Sequence, residues 1–128
     1  MIVDSSALLA VLLREPDSER YETAIATAAG CRMSAVNLLE TSIVVEGRGG
    51  AAAGHELDTF LERAGIEPAP VTTEQVQVAR IAWRRFGKGN HPARLNLGDC
   101  FAYALAKSAG EPLLYKGDDF SRTDIEAA

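Results

Sequence analysis

The chain is poor in several things at once. Aromatic residues make up only 6% of it, it has two cysteines, Cys31 and Cys100, and no apolar run approaches the ~20 residues of a membrane-spanning helix. Two isolated cysteines in apolar surroundings read as buried, reduced thiols, and they are too few for a cysteine-rich zinc site. So few aromatics argue against a broad platform for stacking nucleobases. The apolar stretch Ala7 to Leu13 follows Asp4, lacks a basic leader and runs into Arg14-Glu15-Pro16. It therefore reads as a core helix and not as a secretory signal. These absences predict a cytoplasmic protein with no membrane segment.

Charge of one sign is also missing where it matters. The net charge is −5, yet no acid lies between Gln75 and Gly98. That segment carries Arg80, Arg84, Arg85, Lys88 and Arg94, with His91 among them. One reading is a solvated helix face running into a basic loop. The other is a rim that contacts phosphates beside an acidic centre.

What is present is a set of acids in apolar company. Asp4 ends the run Ile2-Val3, and Glu40 lies between Val36 and Val44, four residues to either side. Asp99 opens the apolar stretch Cys100 to Ala106, and Asp118 follows Leu113-Leu114-Tyr115. Each has a plain structural reading: a helix cap for Asp4, a favourable helix start for Asp99, a turn for Asp118. Glu40 is the hardest to explain in this way, because a carboxylate in an apolar helix stripe needs a partner. No Lys or Arg adjoins Asp4, Glu40 or Asp99 in the sequence.

The pattern along the 128 residues alternates short strands with helices, and no linker, repeat or low-complexity segment divides it. Strands are expected at residues 1–4, 31–33, 66–71 and 113–115, with helices at 7–13, 17–29, 34–48, 51–63, 73–86 and about 97–109. The polar tail from Ser121 to Ala128 is expected to be a short helix or disordered. Strands separated by helices of this length mean a parallel sheet with helices on its faces, in one domain covering residues 1–128. Sites in such sheets form beyond the carboxyl ends of the strands, where Asp4 and Asp118 fall. Two carboxylates ~4 Å apart repel by about 4 kcal/mol at an effective dielectric of ~20. A shared cation relieves that repulsion. An all-oxygen donor set favours Mg²⁺, or Mn²⁺, over zinc. This points to phosphoryl or phosphodiester chemistry.

Four segments in order carry a likeness to a known family. They are Met1-Ile2-Val3-Asp4-Ser5-Ser6-Ala7, Ser34-Ala35-Val36-Asn37-Leu38-Leu39-Glu40, Leu95-Asn96-Leu97-Gly98-Asp99-Cys100-Phe101-Ala102-Tyr103-Ala104, and Leu113 to Phe120 with Thr123-Asp124-Ile125. Over its whole length the chain resembles PIN-domain ribonucleases, specifically the VapC-type toxins of bacterial toxin–antitoxin pairs. The resemblance implies a three-layer α/β/α sandwich around a parallel sheet. It also implies a metal site of Asp4, Glu40, Asp99 and an acid of the last segment. Asp4 and Asp99 would be the most direct Mg²⁺ ligands, with Glu40 and Asp118 acting partly through water. In this chain Gly117-Asp118-Asp119 replaces the Thr-x-Asp or Thr-x-Asn common in the family, so Asp119 is the substitute should Asp118 not reach the site.

The activity implied is hydrolysis of single-stranded or loop RNA, leaving a 5′-phosphate and a 3′-hydroxyl. Arg80, Arg84, Arg85, Lys88 and Arg94 are the candidate RNA-backbone contacts. The partners implied are a small VapB-type antitoxin and a second copy of the chain, docked on apolar early helices at residues 7–13 and 24–29. Two alternatives stand beside this: a degenerate PIN fold that only binds a partner, and a nuclease acting on DNA. Trp83 and Phe86, at helical spacing, are expected in the core.

Overall fold

A computed structural model describes residues 1–128. The first strand, β1 (Ile2–Val3), is wholly buried, and Asp4 ends it by capping α1 (Ser5–Leu12) with its own side chain. α2 (Ser18–Thr27) leads into β2 (Cys31–Ser34), whose last residue caps α3 (Ala35–Ala64). The glycines at 47, 49 and 50 predict a break in α3. It falls at Gly50, whose backbone (φ 67°, ψ −164°) is open to glycine and strained for other residues. β3 (Ile66–Ala69) then runs along one edge of the sheet, where its proline is tolerated. α4 (Thr73–Phe86), α5 (Leu97–Ala109) and β4 (Leu113–Leu114) complete the order.

The four strands are parallel in the order β3-β2-β1-β4. From β1 the chain proceeds to β2 and β3 on one side and returns to β4 on the other. The order therefore reverses beside β1, and the crevice beyond the carboxyl ends at such a reversal is where ligands bind. Side chains alternate across the sheet. Ile2 and Leu113 join Ala79, Ala82, Phe86 and Leu105 of α4 and α5 on one face, while Val3 and Leu114 join Leu8, Tyr21, Ile25 and Leu57 on the other. The result is the expected α/β/α sandwich, with its core in two apolar layers.

Four expectations need correction. The inward positions on the first turns of α3 are Asn37, Thr41 and then Val45, while Leu39 and Ile43 are 61% and 64% exposed. Here the helix overlies the polar edge of the sheet, so its buried stripe is polar and its apolar residues face outward. Trp83 is 50% exposed, not core, although Phe86 is buried. The early helices are not a free apolar surface: Ala7, Leu8, Ala10, Val11 and Ile25 are buried in the core. Finally, the tail forms no helix: it turns irregularly through residues 121–126 and makes a single bridge at Ala127. Leu113 N–H donates to Glu126 O and Ala128 N–H to Leu113 O, both at 2.9 Å, which extends the sheet beyond β4.

Candidate metal centre

Asp4 reaches the site because β1 stops there. Its backbone N–H donates to Leu114 O of β4 at 2.9 Å, tying the carboxyl ends of the two strands together. Its Oδ2 accepts from Ser6 N–H at 3.0 Å and from Ser6 Oγ–H at 2.5 Å. Ser6 Oγ in turn accepts from Lys116 N–H at 2.9 Å, so the turn after β4 fixes the hydroxyl that fixes Asp4. The ammonium of Lys116 is spent on Glu15 and Asp17, at the side, and not on Asp4.

Glu40 is half-buried on α3. Its Oε1 accepts from Ser5 Oγ–H at 2.5 Å and, at the outer limit, from Asn37 Nδ2–H at 3.5 Å. Its carboxylate lies against Gly98 so closely that a Cβ there would collide with it. Asn37, with no exposed surface, also donates through Nδ2 to Gly98 O at 3.0 Å, while its Oδ1 is buried without a partner. A buried acceptor left unpaired is unfavourable by about 1–3 kcal/mol. It is tolerated here at the point where α3 meets the start of α5.

Asp99 has a structural duty as well. Asn96 caps α5, Asp99 N–H donates to Asn96 Oδ1 at 2.9 Å, and Asn96 N–H donates to Asp99 Oδ2 at 3.0 Å. This is a reciprocal capping box with aspartate in the place usually held by Glu or Gln.

These local bonds leave a pattern. Asp4 Oδ1, Glu40 Oε2 and Asp99 Oδ1 accept no hydrogen bond from the protein. Burial, reinforced by the negative charge of Glu40, pushes the Asp4 carboxyl up to about 6 despite the Ser6 bonds. Burial, then the charges of Asp4 and Asp119, push Asp99 up to about 7. Acids that burden one another in this way share one electrostatic site, which the sequence alone implied only through the fold.

Both acids of the last segment, Asp118 and Asp119, are exposed, and Asp119 is the one whose charge bears on Asp99. Asp118 is exposed, and its carbonyl accepts from Ser121 N–H at 3.2 Å and from Ser121 Oγ–H at 2.7 Å. The acids gather at one edge without closing into a cage: no three His, Cys, Asp or Glu side chains stand close enough to grip a single ion. The donor set nonetheless fits a hard divalent cation, since it is all oxygen and three of its oxygens lack a protein donor. Ser5, Ser6, Asn37 and Gly98 were missed as contributors to the site. The adjacency of Ser5 and Ser6 to Asp4, and of Gly98 to Asp99, is the signal that could have marked them.

Among the basic candidates, Arg80, Arg84, Lys88 and Arg94 are exposed and have no carboxylate partner. Arg85 differs. It lies 3.7 Å from Asp124 and packs over the Phe86 ring at 4.7 Å, so part of its charge serves the fold.

A parallel α/β/α sheet with acids gathered where its strand order reverses defines a PIN-type fold, and the PIN domain family model matches residues 1–126. The chain belongs to the PIN-domain family. It is 50% identical over 127 residues to a protein named Ribonuclease VapC from Mycolicibacterium smegmatis, covering 99% of this chain and 98% of that one. It is also 50% identical over 125 residues to Ribonuclease VapC30 of Mycobacterium tuberculosis, covering 98% and 95% of the two chains. Among solved structures, the M. tuberculosis VapC20 toxin, described as cleaving the sarcin–ricin loop, superposes with a TM-score of 0.77 at 18% identity, covering 99% of this chain and 97% of that one. VapBC2 of Rickettsia felis, solved on a DNA fragment from its promoter, gives 0.78 at 13%, covering 98% and 94%. At those identities the two structures speak to the fold. No helix is long and apolar enough to cross a membrane.

Proposed function

We propose that this protein is a Mg²⁺-dependent endoribonuclease, the toxin of a VapBC-type pair, acting in the cytoplasm as a single PIN domain. The observation that carries the reading is the set of acids at the strand reversal. Asp4, Glu40 and Asp99 each keep an oxygen without a protein donor, and burial with mutual repulsion raises Asp4 and Asp99. Such an arrangement is poor as a structural device and suited to a cation. Sequence relatives named as ribonucleases support the substrate class.

Asp4 and Asp99 would hold Mg²⁺ directly, with Glu40 and Asp119 beside it; Mn²⁺ suits the same donors. When bound, the ion lowers the pKa of water and neutralises charge developing on phosphate oxygens. The chain's own groups do the rest. Ser6 and the Asn96 cap fix the Asp4 and Asp99 carboxylates, and Ser5 holds Glu40 where it can orient the attacking water and take its proton. Water attacks phosphorus, the bond to the 3′-oxygen breaks, and a 5′-phosphate and a 3′-hydroxyl remain. Arg80, Arg84, Lys88 and Arg94 contact the RNA backbone. A small antitoxin encoded with the toxin covers the acids, and a second copy of the chain pairs with the first.

The test is cleavage of a labelled single-stranded RNA in Mg²⁺ and in EDTA, by wild type and by Asp4→Asn and Asp99→Asn. Cleavage by wild type alone, lost in EDTA, with 5′-phosphate ends, is expected. A 2′,3′-cyclic phosphate end, or cleavage surviving in EDTA, would overturn the mechanism.

A further inference from the structure

The chain's one tryptophan stands out of the core on the basic helix. Trp83 is 50% exposed and borders a groove of about 370 Å³ between α4 and α5. Val76, Ala79, Leu97, Cys100 and Phe101 line it apolarly, and Arg80 and Arg84 stand at its edge. Leu97, on the α5 side, is 73% exposed, which leaves the apolar wall open to solvent.

The groove is built and not accidental. Asn90 Nδ2–H and Gly87 N–H both donate to Trp83 O, at 3.1 and 2.8 Å. Any Cβ on Gly87 would strike that same carbonyl and the indole, so glycine is what lets the loop close on this turn. The 87–95 loop is shut at its base by Lys88 N–H to Leu95 O and Leu95 N–H to Phe86 O, both 2.9 Å. It holds Lys88 and Arg94 on the same basic segment and delivers the chain directly to the cap of α5. The groove also adjoins the acids: Cys100, in its lining, directly follows Asp99 on the first turn of α5.

Resting on the nuclease reading above, we infer that this groove is a nucleobase subsite, in which an unstacked base of a single-stranded RNA lies on Trp83 and its phosphates meet Arg80 and Arg84. The charge favours this occupant. No acid lies between Gln75 and Gly98, and neither arginine has a carboxylate partner. An apolar slot with an indole wall and two guanidinium groups free of carboxylate partners matches the alternation of base and phosphate along a single strand. A base held there belongs to a nucleotide next to Asp99, so the subsite selects single strands and places the neighbouring phosphodiester at the acids. A duplex keeps its bases stacked and does not fit.

Trp83 is its own reporter. In the Asp99→Asn background, which holds RNA without cutting it, a short single-stranded RNA should quench Trp83 fluorescence. The quench should saturate together with the anisotropy of an end-labelled copy of that RNA. The same sequence as a duplex, and inorganic polyphosphate, should leave the emission nearly unchanged. Trp83→Ala should weaken anisotropy-detected binding about tenfold, and Trp83→Phe should retain most of it. The backbone bonds to Trp83 O survive both substitutions. RNA binding without quenching, at equal affinity in Trp83→Ala, would refute the subsite and leave the nuclease intact. Absence of RNA binding in any form would refute both. Sedimentation showing that Trp83→Ala dissociates a dimer before RNA is added would assign the groove to a second copy of the chain and refute the subsite.

Discussion

Replacing Asp99 by asparagine should stabilise the metal-free protein while destroying its activity. Asparagine keeps an oxygen for the Asn96 N–H, now bonded at 3.0 Å, so the α5 capping box survives and only the charge is lost. Burial, then the charges of Asp4 and Asp119, lift the Asp99 carboxyl from 3.8 to about 7. That displacement corresponds to roughly 4 kcal/mol against ionisation in the fold. The sign follows from proton linkage. The folded state binds this proton more tightly than the unfolded chain, so its stabilising effect is complete below about 4 and is lost as pH rises to about 7. Asp4, lifted to about 6, acts in the same direction. Because the charge of Asp4 is one cause of the Asp99 shift, part of the gain depends on the state of Asp4, and about 1–3 kcal/mol is expected from Asp99→Asn at pH 7.5. For a chain of this size each kcal/mol moves Tm by roughly 3–6 °C. Thermal unfolding followed by circular dichroism in EDTA, at pH 5 and pH 7.5, reads the effect. A clear rise in Tm at pH 7.5 and a smaller one at pH 5 are expected. A variant less stable than wild type at pH 7.5, or an equal gain at both pH values, would refute the reasoning.

Other consequences are as direct. Gly98→Ala should fold normally, since alanine is the better helix former, but its methyl displaces the Glu40 carboxylate; cleavage should fall at least tenfold with Tm unchanged or raised. Asp119→Asn should reduce the cleavage rate more than Asp118→Asn, because Asp119 is the acid whose charge bears on Asp99; the reverse order in a single-turnover assay would assign the fourth position to Asp118. The Mg²⁺ concentration for half-maximal cleavage should rise steeply below about pH 6–7, where protons on Asp4 and Asp99 compete with the ion; a flat Mg²⁺ requirement from pH 5.5 to 8 would contradict this. RNA binding by Asp99→Asn should weaken with salt, and the logarithmic slope should fall by about 0.7 for each of Arg80→Gln and Arg84→Gln.

Asp4 and Asp99 could be read from the sequence because each sits where an apolar run begins or ends, and the βαβ rhythm fixes which edge of the sheet receives them. Glu40 was legible for a partly mistaken reason. It lies among apolar residues in sequence, but its inward neighbours are Asn37 and Thr41, and Leu39 and Ile43 face outward. Helical periodicity marks a stripe without saying whether core or partner covers it. Asp118 and Asp119 share one turn, so the sequence does not choose between them, and only the fold sets which of their charges bears on Asp99. Trp83 misled because an aromatic at core spacing is also what a surface groove needs. The tail was unreadable for another reason: its single bridge depends on Leu113, which lies at the free edge of the sheet only once the fold exists.

The central claim is that these acids exist to hold a divalent cation. Titration of the metal-free protein with Mn²⁺ at pH 7.5, read by the loss of free-ion electron paramagnetic resonance signal, tests it with no need of the right RNA. Saturable binding by wild type, abolished in Asp4→Asn and in Asp99→Asn while both variants remain folded, is the predicted result. Equal Mn²⁺ binding in wild type and both variants, or none in a folded wild type, would contradict it.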